Sequence, residues 1–147
     1  LIETNVEIFP PRYNPDLHSP QALINMPENL LGLYKEVIDT YNNKNYILCS
    51  VGIRAIIENL CIEVGIVKDG QLKNGGIIKN IEHKVKALFE KGYITQKHSD
   101  MLHLFRKMGN DAIHELKPPS KKEIEKAIKI ITHSIDAIFI INVNNVD

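Results

Sequence analysis

Tryptophan is absent from this 147-residue chain, aromatic side chains make up only 6% of it, and there are two cysteines. Net charge is also missing: 18 Lys+Arg face 18 Asp+Glu. Zero net charge argues against a dedicated polybasic binder of DNA or anionic membrane, which needs a net positive footprint, but it allows a local basic face. No apolar run approaches the roughly 20 residues that span a bilayer. The chain opens Leu1-Ile2-Glu3-Thr4, without the basic start and apolar stretch of a secretory signal. It also lacks an initiator Met, which reads as a piece of a longer chain. Cys49 and Cys61 fall in one expected helix, about 18 Å apart along its axis, too far for a disulfide. Two reduced core thiols in a cytoplasmic protein is the expectation. The six histidines form no HxxxH or HExxH pair, so no helical zinc motif is present, and neither metal nor cofactor is expected.

What is present is the composition of one soluble domain, with 44% hydrophobic and 24% charged residues. Residues 1–27 hold five prolines, Pro10, Pro11, Pro15, Pro20 and Pro27. Proline fixes φ and removes donors, so this stretch reads as an extended arm or linker. Residues 28–143 carry apolar side chains at three-to-four spacing, the signature of helices. A first helix runs from Glu28 to the polar run Asn42-Asn43-Lys44-Asn45, with Pro27 suited to its first turn. A second spans Tyr46–Val64, where Ile47, Leu48, Val51, Ala55, Ile56, Leu60 and Ile62 give a broad apolar surface, and Gly65 suits its C-terminal cap. Residues 66–76 read as a glycine-bearing loop, without the spacing of a phosphate loop. A third helix is expected over 77–91, ended by Gly92. Thr95 caps a fourth that Pro118-Pro119 stops. Ser120-Lys121-Lys122-Glu123 is a capping box for a fifth. Ile138-Phe139-Ile140-Ile141 continues that helix's 3.6-residue phase and is read as helical. The sum is an all-α, up-and-down bundle of about five helices.

The fourth helix contains Arg106-Lys107-Met108-Gly109-Asn110-Asp111-Ala112-Ile113-His114. Glycine in a helix costs roughly 1 kcal/mol against alanine, and Asn110 and Asp111 are also poor helix formers. Such a local conflict marks a functional site or a close helix crossing that needs no side chain at Gly109. Arg106, Asn110 and His114 are four apart and form a slowly drifting stripe. Histidine is a general acid or base near neutrality, arginine grips phosphate bidentately, and asparagine orients either. Together they suit metal-free RNA cleavage, with His114 assisting attack by the 2′-OH and Arg106 stabilising the developing charge. The plainer alternative is a hydrogen-bond network that ties Asn110 and His114 to a neighbouring helix. Arg54 and Glu58, one turn apart on the second helix, read as an ion pair holding the bundle. The sharper reading turns Arg54 toward His114, with Glu58 orienting it. His103 and Lys107, four apart, fit a solvated face; Lys117, Lys121 and Lys122 fit a solvated surface or, in the sharper reading, an RNA track.

The pair of segments Arg54–Cys61 and Leu104–His114 resembles the bacterial domain-of-unknown-function family DUF 4145, over most of residues 28–142. That family is similar to the HEPN superfamily of helical bundles. The resemblance implies a HEPN-like homodimer attached to further domains, with RNA as partner and no membrane. It places the chain in nucleic-acid-directed bacterial defence, of toxin–antitoxin, abortive-infection or restriction type. Many HEPN domains cleave RNA with an Arg-x4-6-His motif at the dimer cleft. His114 matches the HEPN histidine and Asn110 the polar residue after the arginine. The arginine's place is Gly109 here. Arg106 lies eight before His114, just outside that spacing, and Lys107 lies inside it with a poorer clamp. Three functions follow: a metal-independent endoribonuclease or RNA-binding module, a non-catalytic dimerisation or interaction module, and a small-ligand sensor.

Overall fold

A computed structural model of the chain describes residues 25–144, with side chains as far as Phe139. The arm expected over 1–27 lies, up to residue 24, outside the described residues. Five helices follow in order: α1 (Glu28–Asn42), α2 (Tyr46–Glu63), α3 (Ile81–Glu90), α4 (Gln96–Glu115) and α5 (Lys121–Asn144). There is no strand among the described residues, only a Gln71–Ile77 bridge.

The local chemistry explains most of these bounds. Pro27 stands just before α1 rather than in its first turn, and its carbonyl accepts from Leu31 N at 2.9 Å. Thr95 caps α4 by accepting from His98 N. At α5 the capping box is reciprocal: Ser120 N donates to Glu123 Oε1 at 2.9 Å, and Glu123 N donates to Ser120 Oγ at 3.1 Å. These bonds hold the Glu123 carboxyl below its ordinary range. Three helices share one C-terminal device. Ile66 N reaches Cys61 O and Gly65 N reaches Ile62 O after α2. Tyr93 and Gly92 repeat the pattern after α3, as do Asn45 and Lys44 after α1. The pivot residue is left-handed each time, at φ 79° for Gly65, 84° for Gly92 and 62° for Lys44.

The third helix departs from the 77–91 expectation and starts at Ile81. Ile77 and Ile78 belong instead to a small hairpin: Asp69 N donates to Ile78 O, Ile78 N to Gly70 O, and Leu72 N to Gly76 O. Asn80 is the actual cap, accepting from His83 N at 3.0 Å. Isoleucine at helical spacing is equally at home in a short extended pair, and the turn at Gly75 favours the pair. The fourth helix ends at Glu115, ahead of the prolines, where Leu116 turns left-handed at φ 52°. Residues 138–141 are helical.

Helix α2 is the hub, packing on α1, α3, α4 and α5. Its side chains Cys49, Ile53, Ile56, Ile57, Leu60 and Cys61 are fully buried. Leu30, Tyr34, Val37 and Ile38 of α1 meet it at i, i+4, i+7 and i+8 spacing, and Ile124, Ala127, Ile131, Ile135 and Ile138 come from α5. Between α1 and α5, the Tyr34 hydroxyl meets Thr132 Oγ1 at 2.7 Å, and Thr132 in turn donates to Ile128 O. Tyr41 of α1 donates to Glu125 of α5. That acceptor carboxylate pushes the Tyr41 phenol up to about 12.

Candidate functional site

The polar stripe of α4 sits on a helix that Gly109 does not interrupt. The glycine's role is steric. An added Cβ at Gly109 would lie 3.1 Å from the Ser50 carbonyl oxygen and 3.4 Å from Arg54 Cβ. The residue marks the α2–α4 crossing, and a larger side chain would have to displace helix backbone.

Arg54, Glu58 and Arg106, beside this crossing, are already paired. Arg106 Nη2 approaches Glu82 Oε1 of α3 at 3.4 Å. Glu58 lies 3.8 Å from Arg54 and 3.5 Å from Lys84 of α3. The two carboxylates thus face three cations across α2, α3 and α4. All these pairs are partly exposed, and each contributes well under about 1 kcal/mol. Their effect is on availability: Arg54 and Arg106 are turned toward glutamates. Arg106 therefore does not join His114. The two are two turns apart, about 12 Å along a straight helix.

His114 is exposed and Asn110 half-buried. Neither carries a hydrogen bond or ion pair to another described residue, in contrast to the network expected of a purely structural Asn–His pair. Lys107 is exposed and seven residues before His114, which puts both on one face. The thiols are unsuited to nucleophilic work. Burial pushes Cys49 up to about 11 and Cys61 up to about 12, the latter against the opposing pull of Lys84. No group of three or more metal-ligating side chains occurs among the described residues.

The surroundings of the stripe are apolar. Sequence reading gave α2 a broad apolar surface but not which part of it stays outside. Its inner half is the core described above, while Leu48 remains 62% exposed and Ile62 58%. Val51 and Ala55 complete the row, half-buried. Taking the crossing as reference and about 100° per residue, Asn110, Ile113 and His114 of α4 come out on the same side of the bundle as Leu48, Val51 and Ala55. Ile113 is itself 45% exposed. Helix α3 covers this side only at its other end, through Lys84 and Glu82. The result is a mostly apolar face on the outer side of α2, with Asn59 between Ala55 and Ile62, and with Asn110 and His114 on its α4 side. Glu82, the partner of Arg106, and Lys84, the partner of Glu58, carried no signal in the sequence, because the pairing is between helices.

A family model described as "Domain of unknown function (DUF4145)" matches residues 35–145. No curated protein and no solved structure matches the chain.

Proposed function

This chain belongs to the DUF4145 family, and we propose from its site that it is a helical association module, pairing with a second copy of itself through the outer α2–α4 face inside a larger nucleic-acid-directed protein. The observation that carries the reading is the outer row of α2. Large apolar side chains of a folded chain are mostly buried, yet Leu48 and Ile62 of α2 stand in solvent. This mostly apolar row, interrupted by Asn59, is its own complement, so two copies related by a two-fold axis bury each other's row without any second surface. Zero net charge puts no long-range repulsion in the way. The HEPN-like architecture, the defence or toxin role and the cytoplasmic setting belong to this same reading. Catalysis does not: the position five before His114 is the crossing glycine, and Arg54 and Arg106 face glutamates.

Light scattering at high micromolar concentration tests the pairing. The wild type is expected as a dimer, and Leu48→Glu with Ile62→Glu as a monomer of unchanged helicity. A monomeric wild type, or a variant that still pairs, overturns the reading. One observation favours RNA cleavage as a second reading. His114 and Lys107 are both exposed on one face of α4, and pairing would bring a second such set near by. RNA incubated with the protein in EDTA is expected to stay intact. Cleavage that disappears in His114→Ala and weakens in Lys107→Ala would establish the ribonuclease instead.

A further inference from the structure

The bundle also holds a concave feature, none of whose lining residues belongs to the association face. It is an open cleft of about 550 Å³ between the 71–78 hairpin, α3 and the first turns of α4. That volume lies within the usual range for a small-molecule site. Its walls divide by chemistry. Leu72, Ile77 and Phe89 provide an apolar side, and Ile77 leaves 48% of its surface in solvent. Lys79, Lys86, His83 and His103 line the polar side, with Glu82 and Glu90.

The two carboxylates are already engaged. Glu82 faces Arg106, and Glu90 Oε1 accepts from Lys73 N at 3.0 Å. The donors are not engaged. Lys79 and Lys86 have no ion-pair partner among the described residues. His83 Nδ1 accepts from Lys79 N at 3.0 Å, so its ring proton sits on Nε2, with no described acceptor. His103 Nδ1 is buried without a partner, and so is Nε of neighbouring Arg106. Buried polar atoms are nearly always bonded, so the orphan on the cleft wall, His103 Nδ1, marks a missing component. Two free ammonium groups and a free imidazole N–H call for an anion, and the apolar wall for a flat or hydrocarbon group attached to it.

We propose that this cleft binds a small phosphorylated molecule of nucleotide size, its phosphate on Lys79, Lys86 and His83, and its ring or chain against Ile77 and Phe89. The site is independent of the association face, so either can fail without the other. The test is a titration of the ¹⁵N-labelled chain with adenosine 5′-monophosphate, read by amide and imidazole resonances, beside Lys79→Ala/Lys86→Ala. Both lysines are exposed, and their removal leaves the fold intact. Saturable shifts at Lys79, His83, Lys86 and His103 are expected, with affinity falling at least about tenfold in the double variant, as for the loss of a charge-assisted contact. Inorganic phosphate is expected to shift the same lysines and histidines more weakly, leaving Phe89 unmoved. Absence of shifts at millimolar nucleotide, shifts mapping elsewhere, or undiminished affinity in the double variant would overturn the proposal.

Discussion

Gly109 shows how far a single residue's meaning depends on what faces it. A methyl group there gains roughly 1 kcal/mol of helix propensity. It also meets the Ser50 carbonyl oxygen at 3.1 Å, and that oxygen belongs to a helix backbone that cannot swing aside. Overpacking of this kind costs about 1–3 kcal/mol. Gly109→Ala is therefore expected to lose about 1 kcal/mol in urea unfolding. Gly32 is the control: it lies on α1 with nothing within 4 Å of an added Cβ, and Gly32→Ala should gain up to about 1 kcal/mol. If both variants move stability the same way, the crossing is not what selects glycine at 109. The sequence singled out Gly109 because polar neighbours surrounded it. Gly52 went unremarked, although its added Cβ would meet Val37 Cγ2 at 2.5 Å. Between Val51 and Ile53, a crossing glycine has no local signature, because its reason lies on another helix.

At the scale of the element, the ends of helices were the most readable part. The Ser120–Glu123 box and the Thr95 cap follow from one residue type at one spacing, and both are formed. The start of α3 was less legible, since Asn80 and the Gly75 turn compete with an isoleucine phase that continues back to Ile77. The helix ends also contain one substitution that physics favours. Lys44 occupies the left-handed pivot that Gly65 and Gly92 hold elsewhere. A side chain with Cβ costs roughly 1–2 kcal/mol there, of which glycine's greater freedom in the unfolded chain returns part. Lys44→Gly should stabilise by about 0.5–1 kcal/mol, while Gly65→Ala and Gly92→Ala each lose about 1 kcal/mol. Thermal unfolding of the three variants checks the sign. A destabilised Lys44→Gly would mean that the lysine side chain holds the turn by other means.

At the scale of the molecule, both thiols lie on the hub helix and are fully buried. Opening any one neighbour of α2 uncovers little of it, so thiol chemistry reports opening of the whole bundle. Cys49 and Cys61 are expected to resist a thiol-specific disulfide reagent at pH 8 in native buffer, and both to react at once in denaturant. Fast labelling of one cysteine in native buffer would show that its helix pair opens separately. The all-helical architecture was legible because the 3.6-residue period persists through every segment. The candidate site was legible only in part. The stripe's spacing stands in the sequence, but the glutamates that engage its arginines and the exposure of the α2 row depend on how helices distant in sequence come to lie side by side.

The bond between Tyr34 and Thr132 joins residues 98 apart in sequence, linking the first described helix to the last. Contacts this distant are entropically the most expensive to close and are made late, once intervening segments have assembled. An isoleucine-rich interior rewards many helix registers almost equally, since one branched side chain replaces another with little change. A directional bond between two hydroxyls does not: one turn of slippage breaks it. That bond works as a proofreading step at the end of folding, at which a bundle assembled in the wrong register is held back from the native state.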